Sequence, residues 1–63
     1  MMNNNLTELE VEHLRSLISG HGNVAKKLEM YAANCTDSDL KVILERDAQA
    51  AKLAQQDLIT YLN

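Results

Sequence analysis

Three polar side chains fall on or near the centres of otherwise apolar helix faces: His21, Asp47 and Glu10. An imidazole and two carboxylates are ligand types that borderline and hard metal ions accept. His21 projects with Leu14, Leu17, Ala25 and Leu28, and Asp47 with Leu40, Ile43, Leu44, Ala51 and Ala54. Glu10 shares the face of His21 but lies toward one end. A polar group on such a face costs free energy once buried unless it finds a partner. The plainest assignment is a hydrogen bond inside a helical bundle, or a bundle splayed enough to keep the groups wet. The sharper ones are a metal or small-ligand pocket at the core of a dimer, and a pH-sensitive packing switch through His21.

Other residues carry less. Glu10-Val11-Glu12-His13 has the Glu-x-x-His spacing of di-iron carboxylate bundles, in which both residues share one helical face. Here His13 points to the flank, and no second carboxylate or histidine waits opposite in the same chain, so exposed pairing is the expectation. Cys35 is the single cysteine. It has no histidine near it in an antiparallel hairpin, and a thiol nucleophile needs a base. Its expected place is a small apolar side chain beside a turn; a disulfide between chains requires an exposed tip. Gly20-His21-Gly22 is unusual inside a helix, since each glycine costs roughly 0.5–1 kcal/mol relative to alanine. Gly20 is positioned to admit a neighbouring backbone and Gly22 to soften or kink the helix, or both are tolerated weak spots. No Ser-His-Asp arrangement, phosphate-cradling glycine loop or zinc spacing occurs.

The elements that must position these residues are two helices. Sixty-three residues with no proline, two glycines and much Ala, Leu, Glu, Lys and Gln make one all-α domain at most. The net charge is −3, and Lys26-Lys27 is the only adjacent basic pair, so a nucleic-acid stripe is not expected. Tyr31 and Tyr61 are the only aromatics, too few for base stacking. Charged residues interrupt every apolar run, so no membrane span is expected. One thiol fits a reducing, cytoplasmic setting.

Two start signals divide the chain. In Leu6-Thr7-Glu8-Leu9-Glu10-Val11, Thr7 caps, Glu10 closes a capping box and Leu6 staples to Val11. In Cys35-Thr36-Asp37-Ser38-Asp39-Leu40, Thr36 is the expected cap, with Asp39 reciprocal and Cys35 against Leu40. Residues 1–6 are expected to fray, helix 1 to span about 8–34 and helix 2 about 37–62, each on the order of 40 Å long. The apolar face of helix 1 includes Leu14, Leu17, Ile18, Val24, Leu28 and Tyr31; that of helix 2 includes Leu40, Ile43, Leu44, Ala51, Ala54 and Leu58. Val42 and Leu53 form a second strip on helix 2. The short link forces an antiparallel hairpin. Two helices touch along one seam, so much of each apolar face stays wet unless a partner covers it. A chain of this length is marginal alone. The fold expected is an antiparallel two-helix hairpin that dimerises into a four-helix bundle, with Leu14, Leu17, Leu28, Leu44, Ala51, Ala54 and Leu58 at the dimer interface.

The chain resembles the short ferritin-like, spore coat F-like proteins of spore-forming Firmicutes. The resemblance is carried by Leu6-Thr7-Glu8, by Ala25-Lys26-Lys27-Leu28 with Tyr31-Ala32, by Thr36-Asp37-Ser38-Asp39-Leu40-Lys41, by Ala48-Gln49 and by Leu58-Ile59-Thr60-Tyr61-Leu62. It implies a ferritin-like four-helix bundle, a sporulating source, a structural part in the spore coat and contact with other coat proteins. Relatives often carry acidic and histidine residues in mid-helix. Here those stretches read Gly20-His21-Gly22 and Ala51-Lys52-Leu53-Ala54, and alanine cannot bind metal. The reading favoured is a non-enzymatic, homodimeric packing protein without a cofactor. One rival is a ferritin-like metal-binding or redox bundle using His21, Asp47 and Glu10. The other is an aspartyl-phosphate phosphatase of the sporulation phosphorelay, also a helical hairpin. The Ser-Gln-Glu-Leu-Asp signature of that family is absent, and Ala54-Gln55-Gln56-Asp57-Leu58 is a poor echo of it.

Overall fold

The computed structural model describes residues 6–62. Two helices, α1 (Glu8–Ala33) and α2 (Ser38–Ile59), pack side by side, and α2 runs on into one 3₁₀ turn, Thr60–Leu62. The chain is the expected all-α helical hairpin. The fraying expected at the start falls, apart from Leu6, on residues outside those described.

The start of α1 follows the expected capping box. The Thr7 hydroxyl accepts from the Glu10 backbone N–H at 3.1 Å, and the Glu10 carboxylate accepts from the Thr7 N–H at 2.9 Å. Leu6 and Val11 line one shallow concavity and are both half-buried, in the positions of a staple. At the far end the side-chain amide of Asn34 donates to Met30 O at 2.9 Å. The helix runs unbroken through Gly20-His21-Gly22.

The second start lies one residue later than expected. Asp37, not Thr36, caps α2; its carboxylate accepts from the Asp39 and Leu40 N–H groups at 2.9 and 3.0 Å. A carboxylate combines the acceptor role with a favourable charge at the positive end of the helix dipole, which outweighs a hydroxyl. The shift removes the reciprocal role of Asp39. Cys35 turns its thiol to Asp37 O at 3.4 Å, and Leu40 remains about half exposed rather than stapled. No described residue of the turn has a positive φ.

The seam between the helices is narrow and made of small residues. The only buried side chains among the described residues are Ala25, Ala32 and Ala48. Ala48 was not on the apolar face assigned to α2 from sequence. The seam of that helix instead follows Lys41, Leu44, Ala48, Ala51, Gln55 and Leu58, all buried or half-buried at three-four spacing. The radius of gyration is 14.5 Å, against the ~11 Å of a globular domain of this length. The molecule is a rod with Cα extents of 46 × 17 × 11 Å.

Candidate functional site

The two helices do not point their most apolar stripes at each other. They turn them to the same side. A shallow groove of about 370 Å³ joins Leu14 and Leu17 to Leu58 and Tyr61 at the open end of the hairpin. Helical spacing carries this side on through His21, Val24, Leu28 and Tyr31 on α1. On α2 it continues through Ala54, Ala51, Asp47, Leu44, Ile43 and Leu40. Leu17, Val24, Tyr31, Leu40, Ile43 and Tyr61 are 44–54% exposed on it. The opposite side is polar. Ser19, Lys26 and Glu29 line it with Lys52 and Gln55, and Glu29 pairs with Lys52 there. Both partners of that ion pair are partly solvated, so it contributes little to stability.

Six of the seven expected interface residues, Leu14, Leu28, Leu44, Ala51, Ala54 and Leu58, are half-buried, and Leu17 is exposed. All seven sit along the apolar side. Val42 and Leu53 are both more than half exposed and lie toward the other side.

The candidate ligands are placed separately. Glu10 is committed to the capping box. Its hydrogen bonds to the Thr7 backbone and hydroxyl, with a smaller contribution from His13, hold its carboxyl below the ordinary range. His21 has Nδ1 2.8 Å from Leu17 O. A carbonyl only accepts, so Nδ1 carries the hydrogen, and in the neutral ring Nε2 is left as an acceptor. Asp47 makes no hydrogen bond or ion pair among the described residues. The Gln55 amide donates to Ile18 O, so position 55 is level with Ile18 and Gly22, and Asp47 lies ~12 Å further toward the turn. His21, Asp47 and Glu10 therefore do not converge within one chain. No group of three His, Cys, Asp or Glu side chains able to hold a metal ion occurs among the described residues.

Gly22 has a role that sequence reasoning missed. A Cβ there would lie 2.5 Å from Gln55 Nε2 and 3.3 Å from its Cδ. The missing side chain is what lets the Gln55 amide reach Ile18 O at 3.0 Å. Gly20, expected to admit a neighbouring backbone, has nothing within 4 Å of its Cβ position. Close contact thus belongs to Gly22, and the open space at Gly20 fits a tolerated weak spot rather than the admission of a neighbouring backbone. Two residue types usually read as a helix weak spot and a surface polar group explain each other only once their chain levels are known.

No helix among the described residues is long and apolar enough to cross a membrane. Comparison with family models, with curated proteins and with solved structures finds no match.

Proposed function

We propose that this protein is a non-enzymatic packing protein that works as a homodimeric four-helix bundle, formed by two hairpins closing apolar side to apolar side. The observation that carries the reading is the shared direction of the two apolar stripes. The hairpin's own seam buries three alanines, while six large apolar side chains on one side stay about half exposed. Isolated surface hydrophobes are ordinary, but a contiguous apolar side rimmed by polar residues marks an interface. The broad face of the rod, 46 by 17 Å between Cα atoms, is large enough to hold the ~800 Å² per partner of a standard protein interface. A second copy is the simplest occupant, because a two-fold dimer uses the same patch twice.

The resemblance to coat F-like proteins supports placing such a dimer in a spore coat assembly with other coat proteins. Sedimentation equilibrium on untagged protein, with metal content measured on the same sample, tests the reading. A metal-free dimer is expected. A folded monomer overturns the dimer, and stoichiometric metal lost with His21→Ala transfers the function to the rival metal-binding bundle.

A further inference from the structure

We infer that the two hairpins pair antiparallel, with the two-fold axis crossing at the level of Ala25 and Ala51, so that His21 of each copy meets Asp47 of the other. The inference rests on the homodimer proposed above and adds its register and its polar contacts.

The apolar side carries two polar groups near its middle, one imidazole and one carboxylate, ~12 Å apart along the rod. They are too far apart to satisfy each other within a chain. A two-fold axis parallel to the helices keeps every residue at its own level. It would set Asp47 level with Asp47 and His21 level with His21, burying like beside like. A two-fold axis perpendicular to the helices, midway between the groups, exchanges their levels. Asp47 of one copy then arrives at the level of His21 of the other; the same axis stacks α1 on α1 and α2 on α2, so each pair reaches diagonally across the core of the bundle. That midpoint falls at Ala51, half-way between Asp47 and Gln55, and at buried Ala25. At this level α2 turns Ala51 and Ala54 to the apolar side and α1 turns Val24 and Leu28, so the close approach falls along α2.

The shape of the rod agrees. The same operation lays exposed Leu40 and Ile43 of the partner, near its turn, over the ~370 Å³ groove between Leu14, Leu17, Leu58 and Tyr61 at the open end. Each copy thus supplies apolar side chains at one end and a groove for them at the other.

The protons follow from the hydrogen bond already present. Nδ1–H of His21 is spent on Leu17 O, and a carboxylate only accepts, so Nε2 must carry a hydrogen to donate to Asp47 of the partner. Each pair is an imidazolium with a carboxylate. The groups on α1 and α2 that share the side of His21, Leu17, Leu28, Ala51, Ala54 and Leu58, are apolar, and the other ionisable groups on that side, Glu10, His13, Tyr31 and Tyr61, lie toward the ends of the rod.

The test is a spin-label distance in the full chain, with Cys35→Ser and Thr36→Cys as the labelled background, beside sedimentation on the same variant. Antiparallel pairing separates the two labels by ~30 Å or more along the rod, whereas parallel pairing brings both turns to one end, within ~20 Å. A dimer with the long distance supports the inference. A dimer with the short distance overturns it while leaving the homodimer intact, and a monomer overturns both. A charge exchange reads the pair itself. His21→Asp is expected to weaken the dimer roughly tenfold or more, and adding Asp47→His to restore most of the affinity. Absence of rescue in a folded double variant sinks the His21–Asp47 pairing whatever the label distance.

Discussion

Gln55 lays its side-chain amide across the place where Gly22 lacks a side chain, and donates from there to Ile18 O. This contact links the middle of α1 to the last third of α2 and sets their relative level. It also assigns different costs to two glycines that sit two residues apart.

Gly20→Ala is therefore expected to stabilise the fold by roughly 0.5–1 kcal/mol, because alanine is the better helix former and its Cβ meets open space. Gly22→Ala gains the same helix term but displaces the Gln55 amide, losing a part-buried hydrogen bond of about 1 kcal/mol. The expected net change is near zero. In a Gln55→Ala background, Gly22→Ala should regain the full stabilisation. Thermal unfolding of the four variants at one protein concentration checks this; equal effects of Gly22→Ala in both backgrounds would refute the coupling.

The caps give a paired test. Asp37→Ala is expected to cost about 1 kcal/mol, whereas Thr36→Ala is expected to change stability little, since Asp37 and not Thr36 takes the Asp39 and Leu40 N–H groups. Denaturant midpoints of the two variants decide it. The reverse order would return the cap to Thr36.

Glu10 supplies a pH dependence. Its hydrogen bonds to Thr7 hold its folded-state carboxyl below the ordinary range. A depressed folded value means that the native state binds fewer protons than the unfolded chain. The contribution of Glu10 is then complete above the unfolded carboxyl value and declines as the pH falls through the folded one. An NMR titration should place the Glu10 midpoint below the ~4.3 of an unperturbed glutamate. Glu10→Gln should flatten the acid limb of the stability curve, and an ordinary midpoint would contradict the capping box.

Charges placed on the two sides of the rod should act unequally. Leu28→Asp and Ala51→Glu each put a carboxylate on the apolar side, and dimer and fold are expected to fail together. Gln49→Glu, exposed on the polar side, is expected to change stability by less than about 0.5 kcal/mol. Circular dichroism with sedimentation on each variant separates the cases. A cooperatively folded dimer of Leu28→Asp would remove Leu28 from the interface.

Much of this was legible in the sequence. Three-four spacing of Leu14, Leu17, Leu28, Leu44 and Leu58 defines both helices, and Thr7 with Glu10 announces the first start because capping is local chemistry. The seam was less legible. Ala48, Lys41 and Gln55 line it although two of them are polar, since the hairpin needs close approach there rather than apolar bulk. The second cap was displaced because Thr36 and Asp37 are adjacent acceptors, and only backbone dihedrals choose between them. The partnership of Gly22 with Gln55 depends on which levels of α1 and α2 coincide, and that registration is a tertiary quantity.

The corner itself carries a further consequence. Between Ala33 and Ser38 the chain reverses without glycine, proline or any left-handed backbone. Side-chain hydrogen bonds clasp the reversal: the Asn34 amide on Met30 O, the Cys35 thiol on Asp37 O, and the Asp37 carboxylate on the first N–H groups of α2. Backbone stereochemistry sets no obstacle to running straight on. With Asn34, Cys35 and Asp37 replaced by good helix formers, the same chain would lose these local clasps, and one unbroken rod would become sterically open to it.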